Sequence, residues 1–479
     1  MDTNKTLKTS SQSASEIGVS RNKEAIPFKE KLAYGAGGYA NQAGESAVNQ
    51  LVNPVYNLIM GVDPKVIGLT LGAMRLWDAI TDPIMGKISD NWKGHSGRRK
   101  PFMFLGCLLL SIVFPIIWWA SPDWNEHAVV AYMAAGLVVF FTCYTIYSVP
   151  WRALGAEMTP HYDERSKLQV VTSYFNELSQ MTVPWIFPAA NLAFFAGPEI
   201  GIKVVTSVCG VVILLTGLAA AKVPKERYQK IAQKQEKVQL IPAFKNFLGD
   251  PVFIYVHGIG AALLSSLLII GSLGMYINIF YIFDGDWGKG SVFSAIAANL
   301  SSVLGFFVLY FLRKYFMQVE KKKLIAFALG LSILGSCSKW FLFNPEYPYL
   351  VFLLPFFMAT SQTCFWSIWI SMLADYCDYD EFNHGKRREG MFNAVSGWLM
   401  KASSSIALGV SGYVLTVTGF DKDKAGDQGE ETFLMMRVLF IALPLFLLTT
   451  AFVMNKLYPL NKEKMVNIRM ELEKRRGQV

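Results

Sequence analysis

Residues 66–88 read VIGLTLGAMRLWDAITDPIMGKI, apolar enough to cross a membrane except at Arg75, Asp78 and Asp82 and, at its end, Lys87. A carboxylate at bilayer depth costs roughly 2.5–3.5 kcal/mol on the insertion scale. Two of them four residues apart on a helix share one face and repel each other. Such a pair persists where something positive offsets it. That can be an exchangeable sodium ion or proton, or it can be Arg75, one turn earlier on the same stripe. A purely structural role needs one acid per base, so two acids beside one arginine favour the exchangeable cation.

The rest of the chain sets this stretch among many like it. Hydrophobic residues make up 52% of the 479 and charged residues only 17%, which overrules a reading as several soluble domains. Apolar runs long enough to span recur throughout, from Leu32–Met60 to Thr432–Met454, and twelve are expected. Residues 1–29 are polar and lack the apolar core of a cleavable signal. The six cysteines, in or beside apolar segments and without CxxC spacing, read as small hydrophobes. The net charge of +9 is a topology signal and does not point to nucleic acid.

Basic residues fall in alternate loops: Lys93, Arg98, Arg99 and Lys100; Lys225 to Lys237; Lys321, Lys322 and Lys323; Lys386, Arg387 and Arg388. The loops between are poor in basic residues, with no Lys or Arg in 121–127 or 344–346, so both termini are expected on the cytoplasmic side of a plasma or bacterial inner membrane. The division is an N-terminal tail over 1–30, a six-helix bundle over 31–222, a cytoplasmic linker over 223–249, a second bundle over 250–456 and a tail over 457–479. Lys222–Asn246 has the spacing of a partly amphipathic surface helix. Glu157 and Asp163-Glu164-Arg165 after span 4 are echoed by Asp375, Asp380-Glu381 and Arg388-Glu389 after span 10. Two six-helix halves with a ligand site between them, an all-α major facilitator fold, are the expectation.

Two motifs sharpen this. Gly86-x-x-x-Asp90 followed by Gly97-Arg98-Arg99 offers a glycine for close packing, an acid for a helix end or an arginine, and a basic cluster for anionic headgroups. It resembles the loop between helices 2 and 3 of major facilitator transporters. The block Arg75-Leu-Trp-Asp78-Ala-Ile-Thr-Asp82-Pro, with Tyr34-Gly35 upstream and Ala374-Asp375-Tyr376 before Gly385-Lys386-Arg387-Arg388-Glu389-Gly390, resembles the glycoside–pentoside–hexuronide:cation symporter family, in its melibiose-carrier-like form. The resemblance runs from Ala33 to about Ser405. It implies a transporter, not an enzyme, that imports a sugar with Na+ or H+ and holds no permanent cofactor.

Carried over by position, Asp78 and Asp82 are the expected cation carboxylates, metal ligands if the ion is sodium. Thr145 is a hydroxyl ligand and Lys401 lies near the same site. Lys401 also stands out by itself, an ammonium about ten residues into span 11 among Ala402, Ser403, Ser404 and Ser405. Thr81 replaces the asparagine of the sodium-using pattern, which leaves both ions open. The galactoside contacts are missing: Gln42 and Ser148 stand where acids are expected, Ser173 where an arginine is, and Arg152 where a tryptophan is.

The expected solute contacts are therefore Gln42, Glu45, Ser148, Arg152, Ser173, Asn176, Glu177, Trp366, Trp369 and Trp398. Arg152 suits an acidic sugar, because its planar fork binds two oxygens at once, or else pairs with Glu45 or Glu177. A cation-coupled carrier of a lipid-like solute and a non-transporting sensor are the alternatives. The partners expected are a small solute and the bilayer, with the chain a monomer. In the mechanism expected, the empty Asp78–Asp82 pair repels and holds the site open.

Overall fold

The computed structural model describes residues 26–92, 94, 97–159, 162–227, 246–312, 314, 319–385, 388–421, 424 and 427–476. The tail before residue 26, most of the expected surface helix and Lys93, Lys386 and Arg387 lie outside these. The described residues form twelve long helices and a shorter thirteenth, and no strand. In chain order they are α1 Phe28–Asn53, α2 Pro64–Asn91, α3 Lys100–Ile116, α4 Glu126–Met158, α5 Tyr162–Thr182 and α6 Pro198–Lys222. The second six are α7 Pro251–Tyr276, α8 Trp287–Phe311, α9 Lys321–Leu342, α10 Leu354–His384, α11 Glu389–Val417 and α12 Glu430–Leu457, with α13 at Lys462–Arg476.

Local chemistry sets the ends. Asp63, Asn125, Asp250 and Asp286 each accept a backbone N–H at the start of α2, α4, α7 and α8. Pro64 and Pro251 stand in first turns, where no amide hydrogen is needed. Gly385 closes α10 in the left-handed region, φ 69°. Past α5, Pro184 and Pro188 break the ladder into a 3₁₀ turn and the short helix Ile186–Ala190. Seven helices (α4, α6, α7, α8, α9, α10 and α12) are long and apolar enough to cross a membrane, and α3 is apolar but only 17 residues long. The more polar α1, α2, α5 and α11 carry the charged and amide side chains expected at the site, apart from Arg152 on α4.

The packing is written twice. In the first six helices α1 lies on α5 and α6, α3 on α4 and α6, and α2 on α4. Six helices later α7 lies on α11 and α12, α9 on α10 and α12, and α8 on α10. Both α1 and α7 finish in six-residue π-helical turns, Pro54–Ile59 and Ile277–Ile282. This repetition is the physical content of the weak sequence echoes.

The halves meet along α2–α11 and α5–α8, pairings that also exchange under the same shift of six. On the first seam a Cβ on Gly68 would lie 2.8 Å from Gly412 Cα, and one on Gly72 would lie 2.7 Å from the Ser405 carbonyl. Small residues let the two backbones touch. The tips of α1 and α7 are tied by Tyr276, whose hydroxyl donates to Asn57 Oδ1 at 2.6 Å. On the second seam the Asn299 amide donates to the Met181 carbonyl at 2.9 Å and accepts from the Trp185 indole at 2.8 Å. Tyr174 stacks on Phe306 there, centroids 6.4 Å apart. Among the described residues, no packing of this extent joins the opposite ends of α4 and α10.

Candidate cation and solute site

Asp78 and Asp82 project from α2 toward α4 and α11. Thr145 on α4 donates to Asp78 Oδ1 at 3.0 Å and lies 3.2 Å from Asp82 Oδ1. The Thr81 hydroxyl is 3.2 Å from that of Thr145. Lys401 reaches across from the other half, its ammonium 2.8 Å from Asp78 Oδ2 and ion-paired with Asp82 Oδ2. It also approaches the Asp78 carbonyl at 3.4 Å. The five residues expected at a cation site, 323 positions apart at the extreme, thus converge. Asp78 is buried and Asp82 is half-exposed at the edge of the cleft.

The alternative in which Arg75 offsets the pair does not form: its guanidinium turns to Glu45 on α1, at 2.7 Å. Nor do the two acids repel across an open site, because Lys401 stands between them and supplies the positive charge. The attraction of an ammonium at bonding distance outweighs the repulsion between two carboxylates that share it. Surface snorkelling of Lys401 is excluded by the same contacts.

Beside this lies a second polar cluster. Tyr144, one residue before Thr145, donates to Glu45 Oε2 at 2.8 Å. Arg152, two turns further along α4, donates to the Tyr144 oxygen at 3.3 Å. Arg152 therefore pairs with neither Glu45 nor Glu177, contrary to one expectation, and its side chain is exposed in the cleft. It remains within electrostatic reach of Glu45, Asp82 and Asp78. Tyr144 was missed by sequence reasoning, since a tyrosine in an apolar span carries no signal until its partners are known.

The remaining expected solute contacts divide. Gln42 donates to Ser46 at 3.0 Å. Ser148, between Thr145 and Arg152 on one stripe of α4, is buried. Asn176 abuts α1, its Oδ1 2.9 Å from where a Gly38 Cβ would be, and Glu177 beside it is half-buried. Ser173 is exposed and bonds back to the Gln169 carbonyl at 3.0 Å. Trp398, one turn before Lys401, is exposed, while Trp366 is half-buried. Trp369 is not available: it is buried, donates to the Val256 carbonyl at 2.8 Å and packs on Gly260. It belongs to the core of the second half.

The loop motif forms a charged knot where α2, α3 and α4 end. Arg99 pairs with Asp90 and, at 3.1 Å, with the buried Glu157, to which Arg98 is also paired. Three backbone N–H groups, of Arg98, Arg99 and Lys100, donate to the Glu226 carboxylate at 2.7, 2.8 and 3.0 Å. A linker carboxylate thereby caps α3, where the helix dipole favours negative charge. Gly97 makes room for it: φ is +100°, and a Cβ would lie 2.7 Å from Glu226 Oε1. Gly86 does not serve close packing here, since its Cβ would meet only Val149 at 3.9 Å.

The equivalent knot in the second half joins Asp375 to Lys321 at 2.6 Å and to Arg469 of α13 at 2.7 Å. Arg388 pairs with Asp380. His257, within α7, is a packed polar residue: Nδ1 is 3.0 Å from the Phe253 carbonyl and Nε2 2.6 Å from Ser396 Oγ. All six cysteines are free.

Twin six-helix bundles with ionisable side chains meeting at their seam define a major facilitator transporter. Residues 33–462 match the family model for MFS/sugar transport proteins, and the chain belongs to that family. It is 24% identical to the uncharacterized symporter YnaJ of Bacillus subtilis, over 95% of this chain and 97% of the other. It is also 24% identical to the putative glycoside/cation symporter YagG of Escherichia coli, over 94% and 96%. To the sodium-dependent lysophosphatidylcholine symporter 1 of Gallus gallus it is 22% identical, over 92% and 88%. The crystal structure of a D-xylose–proton symporter superposes with a TM-score of 0.60 at 14% identity, covering 88% of this chain and 97% of that one. The chain is a multi-pass membrane symporter, as the motif resemblance implied.

Proposed function

We propose that the protein imports a sugar or glycoside by symport with Na+ or H+, one cation binding at Asp78 and Asp82. The carrying observation is the ammonium of Lys401, from one half, seated on two carboxylates of the other. Lys401 acts as a tethered stand-in for the ion. An arriving sodium ion finds carboxylate oxygens with the Thr145 and Thr81 hydroxyls beside them, and an arriving proton neutralises one acid. Either event weakens the hold on Lys401 and with it the tie between α2 and α11, which frees the halves to rock.

With both termini cytoplasmic, the closed ends of α1, α2, α7 and α11 face outward and the cleft opens inward. The solute sits against Gln42, Arg152, Asn176 and Trp398. Uptake into proteoliposomes under imposed sodium or pH gradients tests the reading. Transport that ignores both gradients defeats it.

A second reading has its own support: a relative matched over nearly the whole chain is named for a lysophospholipid. On that reading the same cation site drives an amphipathic solute, and the panel of solutes in the uptake experiment separates the two.

A further inference from the structure

The two clusters of the cleft are each one charge out of balance, in opposite senses. Asp78 and Asp82 face the single ammonium of Lys401, which leaves a net negative charge. Arg75 and Arg152 face the single carboxylate of Glu45, directly and through Tyr144, which leaves a net positive charge. The excess positive charge resides on Arg152. Arg75 is ion-paired and buried, whereas Arg152 is exposed, and its bonded partner is the neutral Tyr144 oxygen. Besides Tyr144, Arg152 feels the field of Glu45 first and then those of Asp82 and Asp78.

Loading a cation on Asp78 and Asp82 removes their share of that field, and the one carboxylate left, Glu45, is already paired with Arg75. A guanidinium in a cleft of low dielectric then favours a planar, two-oxygen anion over a neutral hydroxyl. Resting on the symport reading, we propose that Arg152, backed by Tyr144, receives the anionic group of the solute, a carboxylate or phosphate, and that one cation and one solute anion cross as a neutral pair. The coupling follows from the same arithmetic: either ion alone leaves the cleft charged, and both together do not. The membrane potential then adds nothing to the drive, which comes from the concentration gradient of the ion.

The experiment uses proteoliposomes of the full chain and matched probes: methyl glucoside against the corresponding glucuronate, the methyl glycoside with a free C6 carboxylate, and lysophosphatidate as an amphipathic anion. Counterflow exchange reads binding and translocation without any ion gradient. Uptake at clamped potentials reads the charge carried. The glucuronate is expected to exchange and the glucoside not, with uptake unchanged when the potential is altered. Arg152→Gln should lose exchange about tenfold to a hundredfold, the worth of a charge-assisted bond. Arg152→Lys should recover part of it, and cation-induced change in tryptophan fluorescence should survive in both. Exchange of lysophosphatidate alone keeps the anion assignment and replaces the sugar ring by an acyl chain. Equal exchange of glucoside and glucuronate, full exchange by Arg152→Gln, or one charge moved per solute would each overturn it. Exchange that depends on Arg152 but ignores sodium and pH removes the symport reading and leaves the anion assignment standing.

Discussion

Lys401 on α11 and Asp78 on α2 form an ion pair of 2.8 Å across the seam between the two halves. Asp82 shares the same ammonium. One lysine therefore holds both carboxylates and both halves at once, so a change in the charge of the pair is also a change in how tightly the halves are joined.

Removing that ammonium is expected to sharpen cation binding while impairing transport. In Lys401→Met the two acids lose their internal partner, and leaving a buried charge unpaired costs about 3–5 kcal/mol. Sodium or a proton then recovers part of that cost. Cation titrations followed by tryptophan fluorescence should show at least about a tenfold tighter apparent affinity, the equivalent of 1.4 kcal/mol. Uptake should fall, because nothing re-forms the tie when the ion leaves. An unchanged affinity would mean that the ammonium does not compete for the site.

Asp78→Asn and Asp82→Asn should each abolish gradient-driven uptake. Each keeps an oxygen acceptor for Thr145 or Lys401 but leaves a single negative charge, already matched by the ammonium. Counterflow of solute should persist in part, since it needs no driving ion. Retention of full gradient-driven uptake by either variant would exclude that residue from the ion site.

Gly72→Val tests the seam itself. The first new carbon meets the Ser405 carbonyl at 2.7 Å, a backbone atom that cannot turn aside. Overpacking of this kind costs about 1–3 kcal/mol, charged to the conformation in which α2 and α11 touch. Transport should slow, and a cysteine placed on the α2 face of the seam should label faster than in the parent. Unaltered labelling would show that the contact is not the gate.

Glu226→Gln replaces a carboxylate that caps three N–H groups by an amide with one acceptor. A cap is worth about 0.5–2 kcal/mol, and each kcal/mol lowers an apparent Tm by about 2–4 °C in a protein of some 200 residues. Gly97→Ala should be at least as damaging, since it combines a positive φ with a collision against the same carboxylate. Thermal shift assays in detergent report both. A Glu226→Gln Tm equal to the parent would remove the capping role.

Asp286, in the loop before α8, has its carboxyl held below the usual range, chiefly by the backbone N–H of Lys289 and against the smaller effect of burial. A depressed folded value means the stabilisation is present above the unfolded pKa of roughly 3.9 and fades as pH falls through the lower folded value. Asp286→Ala should therefore lose stability at pH 7 and approach the parent only in acid below that range. Parallel melting curves from pH 7 to pH 3 check the convergence.

Much of this was written along the chain. Seven of the long helices follow from apolar run length, and starts such as those at Asp63 and Asp250 from their caps, because a spanning helix must satisfy its backbone groups within itself. The acids of α2, the threonine of α4 and the lysine of α11 were each legible as ionisable or polar groups at a depth where such groups are expensive. Their convergence could be expected only through the family resemblance, since nothing local to Lys401 names Asp82.

Partner choice was decided by the fold. Arg75 lies one turn from Asp78 on the same stripe, yet it bonds Glu45, because helix neighbours compete with whatever a second helix brings closer. Trp369 and Trp398 look alike in sequence, and one is core while the other is exposed, a difference set by which side of α10 or α11 meets a neighbour. Tyr144 and Glu226 acquired roles only when distant elements were brought against them. Sequence alone determined that charges lie in the membrane and where; tertiary structure decided which charges cancel. The reason is range: hydrophobic length and capping act within one helix, whereas an ion pair needs contact between atoms that the chain separates by hundreds of residues.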